Sequence, residues 1–202
     1  MKMKLLPASL ITLVLLSGCQ TMTHLIDASD TTSNITTSLS YADFNSAANR
    51  MADQIIASPL LVHPQSAQGG RYILNISNIQ NDTMQRIDTD QLVKTMRVRM
   101  LNSGKFLVTT AFDGSDSMTK DSRTLADSAM VKQSSVKKNG TVLAPDFSLA
   151  GKIMQRNSSL DNGDTRIEYY FQLQMTNLEN GLSYWEGEEV IGKVSGSDTV
   201  SW

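Results

Sequence analysis

The chain has 202 residues, 40% of them hydrophobic, with 18 basic and 20 acidic side chains and a formal net charge of −2. That length and apolar content suit one domain with a tail, and the lack of a dense Lys/Arg run excludes a phosphate-neutralising nucleic-acid surface. With a single cysteine, Cys19, no disulfide can form within the chain, so folding must rest on the apolar core.

Lys2 and Lys4 precede an apolar run from Leu5 to Leu16, which Ser17-Gly18-Cys19 closes. A positive start, about 7–15 apolar residues and small residues at the cut make a secretory signal. The run is shorter than the about 20 residues of a spanning helix. Leu16-Ser17-Gly18-Cys19 resembles a bacterial lipobox. The resemblance implies cleavage between Gly18 and Cys19 and acylation of Cys19, and several acyl chains give stable anchoring at about 0.8 kcal/mol per buried CH₂. Gln20 stands where an aspartate would retain such a protein at the inner membrane, which implies outer-membrane delivery with the domain facing the periplasm. Residues 1–18 are thus expected to be a lipoprotein signal peptide, 19–40 the lipidated N-terminus and a flexible tether, and 41–202 the periplasmic domain. The Thr, Ser, Asp and Asn of the tether cannot bury enough apolar surface to offset ordering entropy, and its full extension is roughly 70 Å.

Within the domain, Phe44, Ala48, Met51 and Ile55 recur at helical spacing, with Asp43 as the expected N-cap and Pro59 beyond the end. Tyr72 to Ile79 reads as a strand, with Tyr72, Leu74 and Ile76 on one face. Asp88-Thr89-Asp90-Gln91 opens a second helix, whose stripe is Leu92, Val93, Met96 and Met100 and whose stop is Gly104. Phe106 to Thr110 is a short strand that completes a βαβ-like unit. A further helix is expected around Arg123 to Lys132. Phe147, Leu149 and Ile153 alternate, then Asn162-Gly163 turns the chain. Ile167, Tyr169, Phe171, Leu173 and Met175 line one face of the next strand, and Arg166, Glu168, Gln172 and Gln174 the other. Asn180-Gly181 marks a hairpin into a strand carrying Leu182, Tyr184 and Trp185. The expected fold is a single mixed α/β (α+β) domain, with a C-terminal antiparallel meander in one sheet and helices packed on one side.

Catalytic chemistry finds few candidates. His24 and His63 belong to no metal spacing, and neither H-E-x-x-H nor C-x-x-C occurs. Ser134 to Lys137 matches S-x-x-K without its companion triplets. Asp82, Asp88 and Asp90 could supply paired carboxylates, but turns and helix starts are ordinary places for Asp. Glu186, Glu188 and Glu189 suit an edge strand kept soluble. The reading is a protein without enzymatic activity, metal, cofactor or small-molecule substrate. Tyr170 is the aromatic expected on the wet face, and Arg166, Glu168, Tyr170 and Gln172 are the expected partner-binding positions.

Asn78-Ile79-Gln80-Asn81-Asp82-Thr83, Ile87-Asp88-Thr89, Ser103-Gly104-Lys105-Phe106, Tyr169-Tyr170-Phe171 and Trp185-Glu186-Gly187 follow one another in an order that resembles the LpoB family. The resemblance spans roughly Phe44 to Lys193. It implies a domain like the N-terminal domain of TolB and a non-enzymatic outer-membrane lipoprotein that activates a bifunctional class A penicillin-binding protein, hence a role in peptidoglycan synthesis and cell shape. The alternative is an envelope assembly or scaffold lipoprotein that uses the same domain with a different client.

Overall fold

In the computed structural model, residues 25–30, 35–112 and 116–196 are described. Cys19, Gly18 and the signal segment lie outside them. The first helix, α1 (Tyr41–Ala57), buries Phe44, Ala47, Ala48, Met51, Ala52 and Ile55, a stripe at the spacing the sequence predicts. Its N-cap is Ser40 rather than Asp43. Asp43 occupies the third helical position, where its carboxylate accepts from the Ser40 N–H at 2.7 Å while Ser40 Oγ accepts from the Asp43 N–H at 3.3 Å. This reciprocal pair is a capping box with Asp in the place usual for Glu.

Strand β1 (Tyr72–Asp82) follows, then α2 (Thr89–Asn102) and the short β2 (Phe106–Val108). β1 and β2 pair in parallel, so the three elements form the expected βαβ unit. Asp88 caps α2 by accepting from the Asp90 N–H at 3.0 Å, and Leu92, Met96 and Met100 form its buried stripe. β1 runs three residues further than alternation predicts. Between Ile76 and Ile79 its register slips, with two β1 residues, Ser77 and Asn78, opposite one of β3, Ala150. This bulge puts both isoleucines on the buried face despite their odd spacing.

The helix expected at Arg123 to Lys132 forms earlier, as α3 (Met118–Thr124), and Ser128 is already extended. Neither stretch buries a residue. Leu125 and Ala129 therefore have no apolar surface to pack on that would extend the helix. The chain then enters the meander β3 (Phe147–Ser159), β4 (Thr165–Asn177) and β5 (Ser183–Ser195), turning through Gly163 and Gly181 with positive φ.

The five strands form one sheet in the order β2-β1-β3-β4-β5, with β1 and β3 parallel and the meander antiparallel. One core joins α1 and α2 to a single face of this sheet, through Leu74, Ile76, Phe147, Leu149, Ile153, Ile167, Tyr169, Phe171, Leu173 and Met175. Edge-to-face contacts at 4.9 to 5.3 Å carry that core outward through Tyr72, Phe147 and Tyr184. The architecture is the mixed α/β single domain that the sequence predicts. No helix among the described residues is long and apolar enough to cross a membrane.

Candidate docking surface

Alternation along β4 sends its odd-numbered residues into the core and its even-numbered ones to the face opposite α1 and α2. Arg166, Glu168, Tyr170 and Gln172 all stand on that open face. Cross-strand pairing arranges it in rows. Met154 lies opposite Tyr170, and Tyr170 opposite Val190. Arg156, Glu168 and Gly192 form the next row towards the Gly163 turn, and Ser158, Arg166 and Val194 the one after. In the other direction come Lys152, Gln172 and Glu188.

These side chains are held by one another. Glu168 lies between two donors: the Arg166 guanidinium at 2.5 Å and the Tyr170 hydroxyl, which donates to Oε2 at 2.8 Å. Its carboxylate is 15% exposed, against 57% for Arg166. The bond to Glu168 raises the Tyr170 pKa above that of a free phenol, and burial and the carboxylate's charge push the same way. Gln172 Nε2 donates to Glu188 Oε2 at 2.6 Å. The result is an apolar row of Met154, Tyr170 and Val190 bordered by charge, an arrangement in which an apolar centre can be buried inside a polar rim. The sequence singled out the β4 members; Met154, Arg156 and Val190 join them only through strand register.

The other candidate residues have structural partners. Glu189 accepts from Arg50 Nε at 2.8 Å and Gln54 Nε2 at 2.9 Å, which fastens β5 to α1. His63 Nδ1 accepts from the Gln65 N–H at 3.1 Å, and its ring packs on Tyr72. No group of three or more His, Cys, Asp or Glu among the described residues could hold a metal ion.

The motifs that carry the family resemblance also build the fold. Gly104, with φ of 71°, ends α2. Lys105 Nζ donates to the Ile56 carbonyl at 2.6 Å, so it supports the C-terminus of α1, and Phe106 is fully buried. In Trp185-Glu186-Gly187 the indole lies over Gly187, where a Cβ would strike it. Asn81 Oδ1 accepts from the Thr83 N–H at 3.2 Å, and Asn81 Nδ2 donates to the Gln85 carbonyl at 2.8 Å, which turns the chain out of β1. Asp146 accepts from the Ile73 N–H at 2.7 Å and ties the start of β3 to β1.

Gln85 in turn reaches the N-terminal junction. Its amide donates to the hydroxyl of buried Tyr169 at 2.7 Å, and that hydroxyl donates to the Thr37 carbonyl at 3.1 Å. Burial raises the Tyr169 pKa, the bond from Gln85 opposes the rise, and the charge of Asp43 adds to it. Lys193 Nζ donates to the carbonyls of Thr36 and Ser38 at 2.8 and 2.7 Å and pairs with Asp43 at 2.6 Å. Residues 36–39, part of the stretch assigned by composition to the tether, are thereby fastened to the domain.

The solved structures similar to this chain include three of LpoB. The C-terminal domain of LpoB from Salmonella enterica is 14% identical, with 74% of this chain and 98% of that one covered and a TM-score of 0.44. The C-terminal domain from Escherichia coli is 14% identical, covering 75% and 99%, with a TM-score of 0.42. An NMR structure of Escherichia coli LpoB is 16% identical, covering 94% and 88%, with a TM-score of 0.41. A comparison with curated protein sequences gave no match. A family model described as "Peptidoglycan-synthase activator LpoB" matches residues 43–191, from the first turn of α1 to near the end of β5. The chain therefore belongs to the LpoB family of peptidoglycan-synthase activators, whose role is regulatory rather than catalytic.

Proposed function

We propose that this chain is an outer-membrane lipoprotein, acylated on Cys19, that binds a bifunctional class A penicillin-binding protein and raises its synthetic rate. Docking takes place on the open sheet face. Arg166, Glu168, Tyr170 and Gln172 are the contact residues on β4, with Met154 and Val190 beside Tyr170.

The observation that carries this reading is the apolar row ringed by charge on the sheet face that neither α1 nor α2 covers, in a chain of an activator family. Aromatic side chains at the centre of such a patch supply much of the binding energy, and charges at its border set orientation and encounter rate. The Glu168 bonds hold Arg166 and Tyr170 in place before a partner arrives, which lowers the entropy lost on docking. With residues 36–39 fastened to the domain, a tether from Cys19 to residue 35, as proposed, would span at most roughly 60 Å if fully extended. The partner's docking module must come within that distance of the outer membrane.

Affinity purification from detergent extracts tests the client. Recovery of a class A synthase, lost in an Arg166→Glu variant, is expected. Recovery of other envelope assembly components with no synthase would replace this reading by the scaffold one.

A further inference from the structure

Towards the Gly181 turn, the open face changes character. The row Gln80, Lys152, Gln172, Glu188 crosses β1, β3, β4 and β5 in continuous register, and the next row holds Ala150, Gln174 and Glu186. Together with Gly151 and Gly187 these residues line a shallow trough of about 720 Å³. Strands about 4.8 Å apart make the four-residue row about 14 Å long, and the two rows lie about 7 Å apart.

We propose that this trough binds an N-acetylated glycan strand. Three glutamine amides, each with two donors and an acceptor, stand beside one ammonium and two carboxylates, so both hydrogen-bond polarities are offered at regular spacing. Hydroxyl and acetamido groups need both. Gln80, Lys152, Gln174 and Glu186 make no side-chain hydrogen bond or ion pair among the described residues, so their bonding capacity is free for a ligand. Ala150, the one small side chain of the two rows, keeps the floor low enough at its position for a ring to approach the strands. One cation against two carboxylates gives no cationic field for a polyanion. No large apolar side chain projects from these two rows as an anchor for a protein hot spot. The Tyr170 ring borders the trough one row away and offers an aromatic surface to the apolar face of a sugar. The chemistry of the trough stands without the synthase reading, which bears only on where the glycan comes from.

Cosedimentation of the full chain in detergent with purified sacculi, and separately with enzymatically polymerised, uncrosslinked strands, tests the proposal. We expect retention on at least one of them, and competition by chitotetraose but not by free stem peptides. A Gln80→Ala/Gln174→Ala double variant should lower the bound fraction at least fivefold without shifting the melting temperature; Glu186→Lys provides a second variant should the first fold poorly. Retention on uncrosslinked strands alone would assign the nascent polymer as the source. Retention on neither, unchanged retention of the folded variants, or competition by stem peptides alone would overturn the proposal. Arg166→Glu, eight residues along β4 from Gln174, should keep glycan retention while losing synthase recovery, so the two readings fail separately.

Discussion

Lys193 Nζ sits among one carboxylate oxygen of Asp43 and the carbonyls of Thr36 and Ser38, with the lysine side chain 8% exposed and Asp43 14%. A charge held there needs its partner. Lys193→Met should lose about 3 kcal/mol in denaturant unfolding, because it leaves a partly buried carboxylate without its counter-charge and two carbonyls without their donor. Burial on its own would raise the Asp43 pKa, but the bonds from Lys193 and Ser40 outweigh it and hold the carboxyl below its ordinary value. A carboxyl depressed in the folded state adds stability above its unfolded pKa of about 3.9, and that stability disappears as pH falls through the lower folded value. Unfolding measured from pH 6 down to pH 2 should therefore show a loss below about pH 4 that Asp43→Asn reduces. At Gly187 the argument is steric, since an added methyl would enter the Trp185 indole. Gly187→Ala should cost about 1–3 kcal/mol by overpacking, visible as a lower denaturation midpoint with an unchanged slope.

At the scale of elements, Lys105 links the end of α2 to the end of α1 by donating to the Ile56 carbonyl. Lys105→Met should lower stability by about 1 kcal/mol and speed hydrogen exchange in the last turn of α1 more than in α2. The elements themselves were largely legible in sequence, because their apolar periods are strong. The β4 alternation and the Met96/Met100 stripe each admit one packing face. Three features were not legible, each for a physical reason. The α1 cap moved to Ser40 because a serine three residues before an acid can close a reciprocal pair, whereas composition had assigned Ser40 to the tether. The β1 bulge breaks strict alternation, so Ile79 looks out of phase until its neighbour strand is known. The helix expected near Arg123 had only Leu125 and Ala129 to bury, and both stay exposed, so no packing carries α3 past Thr124. As for the candidate surface, the four β4 positions follow from alternation, while Met154, Val190, Gln80 and Lys152 come from other strands through register, which a one-dimensional pattern does not contain.

For the whole molecule, one face of the sheet is committed to the core and the other is left open, while residues 36–39 are clamped on the buried side of β5 through Lys193 and Asp43. The chain thus enters the domain on the side of the helices, opposite the proposed docking face. Cys19→Ala should leave the folded domain intact by circular dichroism yet shift the protein from the outer-membrane fraction to the periplasmic one; persistence in the membrane fraction would contradict acylation as the anchor. The proposed function requires that this chain change the rate of a synthase by contact alone. The most direct measurement is the glycan-polymerising rate of the purified class A synthase from the same cell, with and without the full chain. The account predicts a saturable rise with the wild-type protein, a loss of most of that rise in Tyr170→Ala and Arg166→Glu at unchanged melting temperature, and no turnover of glycan by the chain alone. An unchanged synthase rate at saturating wild-type protein would contradict it.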